Sequence, residues 1–141
     1  MHTLNAGLFI NANSGKCLEI VDSRQDNGAR AQQWDCVGQA GAFWNPVDRG
    51  DGTISYVNPN SGKCLEIADS RGDNGAPAQQ WDCVGIPTQA WRLVSDGAAG
   101  GWRVVNANSG KCLEIVDSRR DNGARAQQWD CVGIGTQAWH G

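Results

Sequence analysis

Phenylalanine and tyrosine are scarce: 2 Phe and 1 Tyr serve 141 residues, too few to build a core on their rings. The 2 His lie at the ends, and no C-x-x-C pair accompanies them, so a zinc site of the Cys/His kind is excluded. No apolar run approaches the ~20 residues of a membrane helix, and membrane insertion is not expected. The 12 Lys and Arg are scattered singly against 15 Asp and Glu, for a net charge of −3. Without a basic stripe, nucleic acid is excluded as a partner. Helical periodicity is missing too, because Gly, Asn, Asp and Ser interrupt every short apolar run. No signal peptide is evident, which in a cysteine-paired chain is expected of a mature start.

What remains is a repeat. The block from Asn11 to Gly38 returns at Asn58 to Gly85 and at Asn106 to Gly133, and its first and third copies differ only in Gln25 against Arg120. A period of about 47 residues leaves room for three units, approximately 1–48, 49–95 and 96–141, within one domain. Such a chain does one thing three times, which favours multivalent binding over a single asymmetric active site. The 6 Cys recur once per unit as Cys17 and Cys36, Cys64 and Cys83, Cys112 and Cys131. Pairing within each unit closes loops of about 20 residues, worth roughly 3 kcal/mol each by the chain-entropy estimate. Three such bonds predict an oxidising, secreted setting.

Each unit offers four short strands, in the first unit near Leu8–Asn11, Cys17–Val21, Ala31–Cys36 and Phe43–Val47. Asn27-Gly28, Asn74-Gly75 and Asn122-Gly123 signal turns between the second and third strands. Twelve strands in three copies predict a pseudo-threefold all-β fold. A disulfide between directly facing residues would set Glu19 opposite Trp34 and Val21 opposite Gln32, with the same register in the other units. Cys17, Glu19, Trp34 and Cys36 would then share a face, and Leu18 and Ile20 would point to the core. A carboxylate beside an indole suits a neutral sugar: the ring covers its C–H face and the acid accepts from its hydroxyls. The competing reading makes Trp34 a core residue and Glu19 a solvated one. Gln33 and Asp35 fall on the core side without a physical reason. Trp44, Trp91 and Trp139, two of them closing Gln-Ala-Trp triplets, are expected in the core. The acids around Asp22–Gly28 read as a hairpin turn, since an Arg sits inside the loop and no bidentate Glu ends it.

Gly-Lys-Cys-Leu-Glu-Ile, then Gln-Gln-Trp-Asp-Cys, then Gln-Ala-Trp, repeated in register, resembles the ricin B-chain-like (R-type) lectins and family 13 carbohydrate-binding modules with Q-x-W repeats. The resemblance implies a β-trefoil, a six-stranded barrel capped by three hairpins, with one shallow sugar site per unit. It places the acid at Glu19, Glu66 and Glu114, and the aromatic at Trp34, Trp81 and Trp129. Gln32, Gln79 and Gln127 stand beside the aromatic. Thr88 and Gln89, and Thr136 and Gln137, form the Q-x-W turn. The family usually has Asp at the acid position and Asn before the Gln, where this chain has Glu and Thr. The first unit reads Gly41-Ala42-Phe43-Trp44 and lacks both turn residues, so its site is expected to be the weakest.

A glycosidase needs two carboxylates of different pKa flanking one bond, and a triplicated Glu–Trp unit supplies equivalents instead. A protein-binding trefoil would need one long unique loop, whereas Asp48–Gly52 and Asp96–Gly101 are short turns. The sequence therefore predicts a non-enzymatic, cofactor-free, multivalent carbohydrate-binding lectin. Galactose-type sugars lead by resemblance. The alternatives are a xylan- or arabinan-binding module of a secreted glycoside hydrolase and a non-lectin, protein-binding trefoil.

Overall fold

The computed structural model describes residues 7–97 and 100–141. His2 and residues 98 and 99 of the expected turn at Asp96–Gly101 lie outside the described residues. Twelve strands run in chain order: β1 (Ile10–Asn11), β2 (Cys17–Ile20), β3 (Ala31–Trp34), β4 (Asn45–Asp48), β5 (Ile54–Asn58), β6 (Lys63–Ile67), β7 (Ala78–Trp81), β8 (Trp91–Asp96), β9 (Gly101–Asn106), β10 (Cys112–Ile115), β11 (Ala126–Trp129) and β12 (Trp139–His140). The pairs β1–β12, β12–β9, β9–β8, β8–β5 and β5–β4 form a barrel wall. Reciprocal 2.9 Å bonds between the backbones of Gly7 and Trp44 close it. The hairpins β2–β3, β6–β7 and β10–β11 cap it. This is a β-trefoil, in which closure leaves no barrel edge to satisfy.

The alternation within each hairpin sorts the side chains. Leu18, Ile20, Leu65, Ile67, Leu113 and Ile115 are fully buried on the inner face. Between them lie Trp44, Trp91 and Trp139, also buried, each indole donating to the carbonyl of Leu18, Leu65 or Leu113 at 3.0–3.1 Å. The expected core tryptophans are thus confirmed. A buried indole N–H requires such a partner, and the turn before each strand aims it at one.

The expected register is off by two. Cys17 faces Trp34, Glu19 faces Gln32 and Ile20 faces Ala31. Val21 has already left β2 for a 3-10 turn over Val21–Ser23, and β3 ends at Trp34. Cys36 therefore bonds Cys17 from beyond the strand, with Cα atoms 5.3 Å apart, and Cys64–Cys83 and Cys112–Cys131 repeat this at 5.1 and 5.2 Å. A slip of two preserves the faces, so Glu19, Gln32 and Trp34 still share one.

The glutamines without a reason on the core side prove to join the units. Gln33 is fully buried and donates to the carbonyls of Arg119 and Asp121 in the third unit, at 3.0 and 2.9 Å. Gln80 does the same to Arg24 and Asp26 of the first unit, and Gln128 to Arg71 and Asp73 of the second. Their carbonyls accept from Ser14, Ser61 and Ser109. Asp35 has its own tie at the surface: its N–H donates to Asn122 and its carboxylate accepts from the same amide.

Gln80→Ala should cost about 2–3 kcal/mol in urea unfolding, because it strands two inter-unit carbonyls. The exposed Asn27→Ala, which breaks the surface tie to Asp82, should cost under about 1 kcal/mol. Asp35, Asp82 and Asp130 are held below the usual carboxylate range, first by the amides of Asn122, Asn27 and Asn74, then by Lys16, Lys63 and Lys111. A depressed folded value stabilises fully above the unfolded value and is lost as pH falls through the folded one. The melting temperature should therefore hold down to about pH 5 and decline below about pH 4.

Candidate functional site

On the outer face of each hairpin an acid and an indole exchange their usual positions. Glu19, Glu66 and Glu114 are only 4–6% exposed, whereas Trp34, Trp81 and Trp129 are 41–42% exposed. The competing reading, a core Trp beside a solvated Glu, is reversed. Burying a carboxylate is costly unless it is hydrogen-bonded, and here both oxygens are. Gln32 donates to one oxygen of Glu19 at 2.8 Å and Gln39 to the other at 2.8 Å. Glu66 is held by Gln79 and Gln89 at 2.8 and 3.0 Å, and Glu114 by Gln127 and Gln137 at the same distances. Each carboxylate oxygen retains acceptor capacity for a further donor.

The turn glutamines are locked from three sides. Gln89 also donates to the carbonyl of Asp82 and accepts from the N–H of Val84; Gln137 repeats this with Asp130 and Val132. With its carbonyl fixed on an N–H donor, each amide can only turn its NH2 toward the acid. Thr88 and Thr136 face inward instead. Each is 1% exposed, and its hydroxyl both donates to and accepts from the backbone of Ile67 or Ile115. These threonines hold the turn against β6 and β10 and present nothing to the outer face.

The first unit does not lack its turn glutamine. Gln39, three positions earlier than Ala42, reaches Glu19, the carbonyl of Asp35 and the N–H of Val37, the same three partners. Gly41 stands where the others have Thr because a Cβ there would meet Ser23 at 2.9 Å. The turn amide absent from position 42 is thus supplied from a position that a Q-x-W search does not inspect.

Two of these arrangements form shallow cavities of about 200 Å³ each. One is lined by Glu19, Asp22, Ser23, Gln32, Trp34, Val37 and Gln39, and the other by Glu114, Asp117, Ser118, Gln127, Trp129, Val132 and Ile134. Sequence reasoning noted that Asp22 and Asp117 lie near the acids but read Asp22 as part of a turn and placed neither in the site, although the recurrent Asp-Ser after each acid strand was a signal for them. It also missed that each site needs a neighbouring unit. A Cβ at Gly123 would lie 3.9 Å from Trp34, at Gly28 3.7 Å from Trp81 and at Gly75 3.9 Å from Trp129. Arg30 of the first unit donates to Gln79 at 2.5 Å, and Pro77 pairs with Gln127 at the corresponding place in the third site.

Glu19, Glu66 and Glu114 sit in equivalent surroundings, and among the described residues no group of three or more metal-ligating side chains converges.

The profile of the Ricin-type beta-trefoil lectin domain matches residues 5–139. A designed threefold-symmetric protein, ThreeFoil, is 31% identical, with a TM-score of 0.91 over 94% of each chain. An exo-beta-1,3-galactanase from Clostridium thermocellum, 1,3Gal43A, is 28% identical with a TM-score of 0.93; the match covers 99% of this chain and 30% of that one. The C-half of the earthworm R-type lectin, solved with GalNAc, shares the fold at 18% identity and a TM-score of 0.69, over 94% of this chain and 93% of that one. No curated protein sequence matches the chain.

Gln39→Ala should destabilise the protein about as much as Gln89→Ala, by about 1–3 kcal/mol in chemical unfolding. Each deprives a buried carboxylate and a backbone N–H of their partner. Ala42→Gln, which places an amide where buried Gln89 and Gln137 stand in the other units, should recover part of the loss in a Gln39→Ala background.

Proposed function

Because this chain belongs to the ricin-type β-trefoil lectin family, we propose that it is a non-catalytic lectin that grips glycans at three shallow sites. One observation carries the reading: an exposed indole stands beside a buried, hydrogen-bonded carboxylate, three times over. The indole supplies an apolar platform for the C–H face of a pyranose. The carboxylate, already oriented by two amides, accepts from sugar hydroxyls without paying to reorganise. In this reading Glu19, Glu66, Glu114 and Trp34, Trp81, Trp129 touch the sugar. Gln32, Gln79, Gln127 and the turn residues Gln39, Gln89 and Gln137 position the acid, and Thr88 and Thr136 only brace the turn.

Galactose-type sugars are the first ligand to test, a choice supported by the galactanase among the related structures. The same relative, of which this chain spans 30%, favours a second reading. The domain would then be a binding module that tethers a secreted glycoside hydrolase to galactan, xylan or arabinan. The disulfides accord with secretion in either case.

A site with one indole and one carboxylate holds a monosaccharide at about millimolar to tens of micromolar strength. Engagement of several sites on one surface adds about 10²- to 10⁴-fold. Binding to a glycan array should therefore rise steeply with glycan density. Trp129→Ala should leave the fold intact and cost about 1–2 kcal/mol at its own site, read from sugar titration followed at the third unit. Since Gln39 restores the first site, Glu19→Gln should weaken array binding as much as Glu114→Gln does. Absence of binding to any glycan at high density would overturn the lectin reading.

A further inference from the structure

Among the described residues, twelve glycines and six other residues have positive φ. The six are three Asp-Ser pairs, Asp22-Ser23, Asp69-Ser70 and Asp117-Ser118, with φ from 50 to 57°. Left-handed backbone crowds the Cβ of an L-residue against its own carbonyl, and glycine escapes this. Elsewhere the chain meets the same demand with glycine. At these three corners it retains a side chain twice in succession.

The corners lie at the sites. The 3-10 turn after β2 carries Asp22 from the end of the acid strand round to the rim, where it lines the cavity with Glu19 and Trp34. Asp117 does the same with Glu114 and Trp129. The two acids of a site differ in kind. Glu19 is buried with both oxygens held, whereas Asp22 is exposed and accepts no hydrogen bond among the described residues. Arg24, two residues on, makes its hydrogen bonds and ion pair with Asp26 and only a weaker through-space attraction to Asp22. No Lys or Arg lines either cavity. Beside the cavities, Arg30 is directed onto the amide of Gln79 at the second site, and Arg125 pairs through its backbone with Gln32 at the first.

We propose that Asp22, Asp69 and Asp117 are a second, rim-mounted acceptor in each site, selecting sugars that present hydroxyl or ammonium donors and rejecting sugars that carry a carboxylate. The proposal rests on the lectin reading and adds a rank order: a 2-amino sugar binds above the neutral hexose, and the hexose above its uronic acid. Two carboxylates and an indole offer acceptors and a platform. An ammonium gains a charge-assisted bond there, while a second carboxylate meets like charge in a confined space.

The test titrates the whole protein with galactosamine, galactose and galacturonic acid in mildly acidic buffer. It compares wild type with two triple variants, Asp22→Gly/Asp69→Gly/Asp117→Gly and Asp22→Asn/Asp69→Asn/Asp117→Asn. Glycine relieves the left-handed corner, so the first variant should melt at the same temperature or higher, yet bind galactose roughly five-fold more weakly. Asparagine keeps the shape and an acceptor but not the charge. It should weaken galactose binding about two-fold, less than glycine does, and shrink the wild-type preference for galactosamine over galacturonic acid, on the order of tenfold, to the part that the buried glutamates supply. Unchanged galactose binding by the glycine variant, or equal wild-type affinity for the amino sugar and the uronic acid, would overturn the proposal and leave the lectin reading standing. A wild type that binds none of the three, and no glycan on an array, removes both.

Discussion

Three buried glutamines hold the molecule together by reaching outside their own repeat. Gln33, Gln80 and Gln128 each donate to two carbonyls of an adjacent unit while a serine of their own unit satisfies their oxygen. Three buried asparagines act in the same direction: Asn11 donates to Thr136, Asn58 to Gly41 and Asn106 to Thr88. A unit on its own would lose these bonds and expose its inner face to water, and the core of a unit of about 47 residues is too small to offset the cost of ordering it. The ring of three is therefore the smallest assembly in which every one of these amides is satisfied.

The sites inherit their rigidity from that ring. The loop that the clasp pins carries Gly28, Gly75 or Gly123 against the neighbouring indole, so the platform of one site rests on the backbone of another unit. The acid is fixed from its own unit, by a strand glutamine and a turn glutamine. A rim carboxylate, a buried carboxylate and an indole thus sit at fixed distances although each belongs to a short, irregular segment. A ligand loses little freedom of the protein on binding, which matters for a shallow pocket with few contacts.

Much of this was legible in the residues. The triplicate Cys pairs, the inward Leu and Ile, the three core tryptophans and the placement of Glu and Trp on one face all follow from period and alternation. The register did not, because the disulfide was taken to join residues that face one another, whereas Cys36 lies past the end of β3. A slip of two leaves every side chain on its face, so the site survived that error. Gln39 was illegible because a side chain can meet the same three partners from a different place in the turn. Asp22 was hidden by its backbone. A residue at positive φ in a turn reads as a turn former, and only the cavity beside it reveals where its carboxylate stands. The glutamine clasps join residues more than 50 positions apart, and periodicity within one unit carries no information about them.

The barrel closes through β1 on β12, so the first unit meets the third by the same kind of seam, β4 on β5 and β8 on β9, that joins consecutive units. Covalent order is then one linear reading of a circular object. A chain break at the surface turn between β4 and β5, in place of one between β12 and β1, would leave the same clasps, disulfides and cavities to form. Sequence order and spatial order are decoupled here. Contacts specify a cycle of units, and the location of the break in that cycle is free to be set by something other than the fold.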